Sequence, residues 1–129
     1  MKFQQMDGGR INKKFDDDCV IRSICIAMNK PYKEVFTDLM TMGIEVGAYP
    51  NSDCVWVPYL EERGWVKNKP PRDSNGKLIK LANWNHAPKV AAVRNSRHLT
   101  CVSDGYVVDT WDCRYRPVNS YWTPSGGEG

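Results

Sequence analysis

The sequence predicts an α+β fold in which helices come first in the chain and an antiparallel sheet follows. Up to about residue 64, apolar residues recur at helical spacing between helix-start and helix-end signals. From residue 65 onward, short runs rich in Val, Tyr and Trp alternate with turn residues, which is typical of strands. Because the two kinds of element are segregated along the chain, the N-terminal helices are expected to pack on the C-terminal antiparallel sheet.

The composition predicts one globular domain. The 129 residues are 41% hydrophobic and 26% charged, with a net charge of +3. We assign the domain to residues 1–123, in which 1–15 form an irregular arm, and we expect a flexible tail at 124–129. No apolar run approaches the roughly 20 residues of a membrane span, and the polar start of the chain lacks a signal-peptide core. A cytoplasmic protein without membrane contact is therefore expected.

The cysteines indicate reduced thiols rather than disulfides or a metal site. There are five of them, and no two form a C-x-x-C pair, so neither a disulfide framework nor a structural zinc site is expected. A metal site would have to combine His86, His98 and cysteines at unpatterned spacings. Neither a metal nor another cofactor is predicted.

The first predicted helix spans residues 19–28 and is buried. Asp16, Asp17 and Asp18 precede it, and carboxylates at a helix start accept free N–H groups and oppose the positive end of the dipole. Asn29, followed by Lys-Pro, ends it. Its apolar residues would equally suit a buried strand, so the signals at its two ends decide for a helix.

Two more helices are predicted before residue 65. One begins at Pro31 and ends at Gly43. Its apolar stripe consists of Tyr32, Val35, Phe36, Leu39 and Met40. The other is capped by Ser52 and Asp53 and ends at Gly64, although Pro58 can delay the start of its regular part.

A hairpin centred on Asp104-Gly105 is the strongest strand signal. Residues 65–66, 89–94 and 118–122 are predicted as further strands, with a turn at 95–96. Asp and Gly tolerate the positive φ of a type I′ turn, which pairs Ser103 with Tyr106. Since side chains alternate between the two faces of a strand, His98 and Asp109 then share one face and lie within reach of each other.

Cys19 is the candidate nucleophile that would complete this histidine–carboxylate pair. It stands at the start of the first helix, where free N–H groups and the helix dipole favour the thiolate. A cysteine, a histidine and an orienting carboxylate form the cysteine version of a catalytic triad. Cys25 and Cys101 are expected to be core residues.

These motifs together resemble the papain-like cysteine peptidases. Asp18-Cys19 opens an N-terminal helix, His98 begins a strand, and Asp109-Thr110-Trp111 ends the next strand, similar to the Asn-Ser-Trp triplet of that family. An Asp at the first place of this triplet is usual in the C39-like branch, which processes bacteriocins. The phrases at 18–24 and 30–35 also resemble small stand-alone members encoded by bacteria and phages. The resemblance covers residues 12–123.

The resemblance implies a thiol hydrolase that cleaves a peptide or other amide bond in a peptide or protein substrate. Cys19 would be the nucleophile and would carry the acyl group, and its backbone N–H would be one oxyanion donor. His98 would be the general base that later protonates the leaving group, and Asp109 would orient its ring. Trp111 would shield the His98–Asp109 pair from water.

Two features depart from the family pattern. The family places a glutamine six residues before the cysteine as a second oxyanion donor; here Lys13 occupies that position with Asn12 beside it, and either can take the role. The acidic run at 16–18 is expected to raise the pKa of Cys19 against the helix dipole. These departures support a second hypothesis, a catalytically inactive scaffold that binds a host or regulatory protein.

Other polar residues have less specific patterns. Asp112 competes with Asp109 for His98, but its odd step along the strand turns it to the opposite face. His86 is expected to be a loop histidine that can line the substrate cleft. Basic residues between 67 and 80, near Trp65 and Trp84, have the composition of a nucleic-acid surface, but such a run is more often a solvated loop. Nucleic acid is not expected as a partner.

Overall fold

The protein has an α+β fold, as predicted, in a computed structural model that describes residues 1–125. Within this range the helices are α1 (Cys19–Met28), α2 (Tyr32–Val46) and α3 (Asp53–Glu62). The strands are β1 (Lys2–Gln5), β2 (Trp65–Asn68), β3 (Val90–Asn95), β4 (His98–Ser103), β5 (Tyr106–Asp109) and β6 (Ser120–Pro124). They form one sheet in the order β1-β5-β4-β3-β6-β2.

The sheet is mixed, which corrects the prediction of a purely antiparallel one. β1 runs parallel to β5 at one edge, with Gln5 opposite Asp109, whereas the other neighbouring strands are antiparallel. The prediction of an irregular arm is therefore wrong for residues 2–5. This segment has one large apolar residue, Phe3, and its strand is set by pairing with a distant edge rather than by local pattern.

Apolar clusters cover both faces of the sheet. The helices bury one cluster against it, which includes Ile24, Val35, Leu39, Trp56, Leu60, Cys101 and Trp122. Residues of the β2–β3 connection, which contains η1, a short 3-10 turn at Leu81–Asn83, and of the β5–β6 connection cover the opposite face. That second cluster includes Leu81, Trp84, Val93, Val102, Val107, Cys113 and Val118. The strands thus lie between two apolar layers, and the interior is closed to water on both sides.

The helix ends agree with the predicted signals in part. α1 ends at Asn29 in the left-handed conformation (φ 55°), as predicted. α2 continues beyond Gly43 and ends at Gly47 (φ 84°), which corrects its predicted end. A Cβ at Gly43 would lie 2.6 Å from the carbonyl oxygen of Ala48, so this glycine permits a close approach of the backbone instead of ending the helix. No helix within residues 1–125 has the length and apolar character needed to cross a membrane.

The C-terminal strand begins and ends two residues later than the predicted 118–122. β6 extends to Pro124, which pairs with Trp65, so the predicted tail is wrong at its first residue. Residues 126–129 of that tail lie outside the described residues. α3 begins at Asp53 and includes Pro58 in its interior, so the proline does not delay the start of the helix.

The predicted hairpin is confirmed at its turn. Asp104 (φ 51°) and Gly105 (φ 83°) both have positive φ, and Ser103 pairs with Tyr106. The pairs between β4 and β5 extend from the turn to Cys101 and Val108, and β5 itself ends at Asp109. His98 begins β4 and Asp109 ends β5, so both lie at the end of the hairpin opposite to the turn.

Candidate active site

Cys19 and His98 line the same cavity, which has a volume of about 270 Å³. Cys19 is the first residue of α1, and His98 is the first residue of β4. The buried hydroxyl of Ser23 donates a hydrogen bond of 2.7 Å to the carbonyl oxygen of Leu99. This bond joins the helix one turn beyond Cys19 to the strand one residue beyond His98, and it thereby fixes the two elements that carry the pair.

His98 and Asp109 form a buried hydrogen-bonded pair, as the hairpin register predicted. The distance between His98 Nε2 and Asp109 Oδ2 is 2.7 Å, and the two residues are 9% and 2% exposed. The ring of Trp111 lies against the imidazole, with 4.8 Å between the ring centroids. Because Nε2 is engaged by the carboxylate, Nδ1 is the ring nitrogen left for a reacting partner.

The pKa of His98 is raised far above its ordinary value. Burial alone lowers it, but hydrogen bonds with Asp109, Cys113 and Cys19 outweigh burial and raise the pKa of His98 to about 11. Burial also raises the pKa of Asp109, and the hydrogen bond with His98 more than compensates, so that this pKa lies below its ordinary value. At neutral pH the pair is therefore an imidazolium and a carboxylate.

The pKa of Cys19 is lowered from its ordinary value of 9.0. Burial raises it, but the hydrogen bonds with His98 and with the backbone of Leu99, together with the positive charges of His98 and Arg22, have the larger combined effect. With the pKa of His98 at about 11, the proton that Cys19 releases belongs on the imidazole. The site favours a thiolate–imidazolium pair, which is the reactive form of such a cysteine.

The acidic run before Cys19 does not raise its pKa, which corrects the prediction. Asp16 and Asp17 are exposed, whereas Asp18 is buried and its carboxylate binds other side chains. Asp18 occupies the N-cap position of α1 but its side chain makes no hydrogen bond to the first N–H groups of the helix. The backbone N–H of Cys19 is therefore not capped by the Asp18 side chain.

Arg22 links Asp18 to Asp109 and was missed by the sequence reasoning. Its side chain is 3% exposed, and Nη1 binds Asp18 Oδ1 while Nη2 lies 3.2 Å from Asp109 Oδ1. Asp18 Oδ2 accepts further hydrogen bonds from Arg10 Nε (3.0 Å) and from the hydroxyl of Tyr32 (2.8 Å). The signal that could have found it is a single charged residue within a helix predicted to be buried, because such a charge needs a partner.

Cys113 also lies at this cluster, although no role was predicted for it. Its Sγ is 3.7 Å from Asp109 Oδ2, and the ligand atoms of His98, Asp109 and Cys113 lie within 4.8 Å of one another. Zinc would need to stand about 2.0–2.3 Å from each of them. His98 and Asp109 instead share a direct hydrogen bond, and Arg22 neutralises the other carboxylate oxygen. These donors fit a hydrogen-bonded cluster better than a metal site.

The structure does not bring Asn12 or Lys13, the predicted oxyanion donors, to the cavity of Cys19. Asn12 accepts a hydrogen bond from the backbone of Lys14 (3.1 Å), and Lys13 pairs with Asp7 (2.9 Å) at the surface. Neither lines the cavity. Asn51, in the loop before α3, does line it, and no sequence signal distinguished this residue from other loop residues.

The remaining candidates lie apart from the site. Asp112 is exposed and pairs with Arg114 (2.8 Å), and since it lies beyond the end of β5, the predicted alternation of faces does not apply to it. His86 is exposed and does not line the cavity. Cys25 and Cys101 are buried as predicted, and burial raises the pKa of both, that of Cys25 to about 11.

In chemical terms the arrangement offers a thiolate nucleophile and an acid–base imidazole that line one cavity, with an orienting carboxylate bonded to the imidazole. Such a group of three can transfer an acyl group to and from the sulfur atom. Comparisons of the chain with protein-family models, with curated proteins and with solved structures found no match.

Proposed function

We propose that this protein is a papain-like thiol hydrolase that cleaves a peptide or other amide bond through an acyl-enzyme on Cys19. One observation carries the proposal. Cys19, the first residue of α1, lines the same cavity as His98, and His98 Nε2 lies 2.7 Å from Asp109 Oδ2. The pKa of Cys19 is lowered and the pKa of His98 is raised above it, which reverses their ordinary order and supports the same conclusion. The resemblance of the three sequence motifs to the papain-like family is consistent with it.

The first half of the reaction forms the acyl-enzyme. The thiolate of Cys19 attacks the carbonyl carbon, and the imidazolium of His98 gives its proton to the leaving nitrogen as the carbon–nitrogen bond breaks. The amine leaves, and the acyl group remains on Cys19 as a thioester. Asp109 stays ionised and keeps the ring of His98 in place.

The second half returns the enzyme to its starting state. Neutral His98 takes a proton from a water molecule, and the resulting hydroxide attacks the thioester carbon. The carbon–sulfur bond breaks, the carboxylic acid product leaves, and Cys19 is again a thiolate beside an imidazolium. The charges of the site are therefore the same before and after the cycle.

The oxyanion of each tetrahedral intermediate needs donors near Cys19. The backbone N–H of Cys19 is one, and the side-chain amide of Asn51 in the same cavity is the second in this proposal. Asn51→Ala should lower kcat about 10²- to 10³-fold, the usual effect of losing one donor, measured with p-nitrophenyl esters of acylated amino acids. Asn12→Ala and Lys13→Ala are the controls. Loss of activity in Asn12→Ala but not in Asn51→Ala would mean that Asn12, as the sequence predicts, is the second oxyanion donor.

A second cavity, next to the cavity of Cys19, supports a peptide as the substrate. This second cavity has a volume of about 380 Å³ and shares Val20 and Asn51 with the cavity of Cys19. Apolar side chains line much of it, including Phe15, Ile21, Phe36, Met40 and Tyr49. Burying apolar surface stabilises a bound side chain by about 25 cal/mol per Å². A peptide with a large apolar residue beside the cleaved bond therefore fits this surface.

Selective alkylation tests the assignment of the nucleophile. With limiting iodoacetamide at pH 7, Cys19 should be the first of the five thiols to be modified, as read by mass spectrometry of the digested protein. Cys54 is the built-in control, because it is exposed while Cys19 is only half-exposed. If accessibility decided the outcome, Cys54 would react first, and Cys19 would then not be an activated nucleophile.

An inactive scaffold that binds a host or regulatory protein is the second candidate. The observation that favours it is the position of Asn12 and Lys13, which lie away from the cavity although the family pattern puts a donor there. A stoichiometric complex that persists when Cys19→Ala and His98→Ala are combined, in a protein that turns over no ester or peptide, would support this candidate over the hydrolase.

A further inference from the structure

The proposed reaction does not use the guanidinium of Arg22, which lies in the buried cluster behind His98. It lies between two carboxylates that belong to different parts of the chain, Asp18 before α1 and Asp109 at the end of β5. All three side chains are at most 3% exposed. Burying a charged group costs free energy unless it is paired and hydrogen-bonded. A buried cation between two buried anions is therefore a specific arrangement that calls for an explanation.

We propose that Arg22 is a positioning residue of the proposed hydrolase, which holds the Asp109 carboxylate in the orientation that presents Oδ2 to His98 and is itself held by Asp18. This inference rests on the proposed function, because it assigns Arg22 a role in the same site.

The two oxygens of Asp109 have separate partners. Oδ1 accepts hydrogen bonds from Arg22 Nη2 (3.2 Å) and from the backbone N–H of Thr110 (2.7 Å), and Oδ2 meets His98 Nε2 at 2.7 Å. A carboxylate with one held oxygen cannot turn about its Cβ–Cγ bond without losing those bonds. Arg22 and Thr110 thus direct the second oxygen to the imidazole.

Arg22 is in turn fixed at its other end. Nη1 binds Asp18 Oδ1, and Asp18 Oδ2 is bound by Arg10 (3.0 Å) and Tyr32 (2.8 Å). The planar fork of an arginine can bridge two carboxylates, whereas a lysine has one nitrogen and cannot reproduce both bonds in the same geometry. This support reaches back to residue 10, so the segment before α1 contributes to the order of the site.

The charges of the cluster alternate in sign along the series of contacts from Arg10 to the nucleophile. The order is Arg10 (positive), Asp18 (negative), Arg22 (positive), Asp109 (negative), His98 (positive) and Cys19 (negative). The other titratable groups that contact it are Tyr32 at Asp18 and Cys113 at Asp109. Removal of Arg22 would leave two anions in one buried region, and a proton taken up there would weaken the hold of Asp109 on the charged imidazole.

Arg22→Gln and Arg22→Lys test the inference in the full-length chain. The readout is the pH dependence of Cys19 alkylation by iodoacetamide, because the thiolate fraction reports the interaction between His98 and Cys19. In Arg22→Gln the midpoint should move toward the ordinary value of 9.0, and at a pH below both midpoints the rate should fall about tenfold for each pH unit of that movement. Arg22→Lys should shift the midpoint in the same direction, since it keeps the charge but loses the bridge.

Arg63→Gln is the matched control. Arg63 is exposed, stacks on Tyr59 and pairs with Asp38 away from the cavity, so its loss should leave the pH midpoint unchanged. If Arg22→Gln lowers the free energy of unfolding but leaves the midpoint where it is in the unmodified protein, Arg22 is a structural residue only and the inference is overturned. If Cys19 of the unmodified protein is alkylated with the ordinary pH midpoint, both the proposed function and this inference fail.

A measurement on the unmodified protein decides the matter if neither variant folds. Because both ends of its fork are bonded, the Nη protons of Arg22 should give separate, slowly exchanging NMR signals. A single averaged signal would mean that the guanidinium rotates freely, and this would overturn the proposed role.

Discussion

Asp109→Ala is expected to lower the free energy of unfolding by about 3–5 kcal/mol at neutral pH, the usual cost of removing one partner from a buried ion pair. The substitution would leave the imidazolium of His98 and the guanidinium of Arg22 without the anion that they share. Chemical denaturation with urea, followed by tryptophan fluorescence, measures this difference.

Asp112→Ala is the matched control for that experiment. Asp112 lies three residues away, is exposed and pairs only with Arg114 among the described side chains, so its removal should leave the urea midpoint almost unchanged. Similar effects of the two substitutions would show that Asp109 is not the anchor of a buried charge cluster.

The effect of Asp109→Ala should depend on pH in a defined window. The pKa of Asp109 is lowered in the fold, so its contribution is present above its ordinary value of 3.8 and is lost as the pH falls below that value. The pKa of His98 is raised, because its bond with Asp109 outweighs burial, so its contribution is complete below 6.5 and is lost as the pH rises toward about 11. The difference between the two proteins should therefore be largest between about pH 4 and 6.5, and a difference that grows toward pH 9 would contradict the charged pair.

His98→Ala should slow the alkylation of Cys19 at pH 7 by about 10- to 100-fold. A thiol with the ordinary pKa of 9.0 is about 1% thiolate at this pH, and burial without the imidazole raises the pKa of Cys19 further. The rate of modification of the Cys19 peptide is the measurement. Hydrolysis of ester or peptide substrates should fall to the background rate in the same variant, because the proposed reaction relies on His98 for both proton transfers.

The other histidine of the chain provides the control. His86 is exposed and lies outside the cavity, so His86→Ala should react at the rate of the unmodified protein. Equal rates in His98→Ala and in the unmodified protein would mean that the imidazole does not activate Cys19, and the nucleophile would then have to be sought elsewhere.

Features set by short stretches of chain could be predicted from the sequence. Asn29 ends α1 because its left-handed conformation suits asparagine, and Asp104-Gly105 forms the turn because both residues tolerate positive φ. The alternation of side chains along the two strands then placed His98 beside Asp109. These predictions depend only on the nearest neighbours in the chain and on one regular period.

Features that depend on distant pairing could not be predicted. Nothing in residues 2–5 specifies that they form a parallel edge strand, because the template for that strand is β5. The buried Arg22 could be recognised as unusual, yet its partners Asp18 and Asp109 are known only once α1 packs against the hairpin. The role of Gly43 could not be predicted either, because glycine suits both a helix end and a close backbone contact.

The parallel pairing of β1 with β5 cannot form early in the nascent chain. β1 leaves the ribosome about a hundred residues before β5. The backbone N–H of Met6 can therefore bond the carbonyl oxygen of Asp109 only after both segments have emerged. Until then the cysteine at residue 19 has neither the imidazole nor the carboxylate that lower its pKa. In the growing polypeptide the lowered pKa of Cys19 therefore requires that the chain has been made as far as His98 and Asp109.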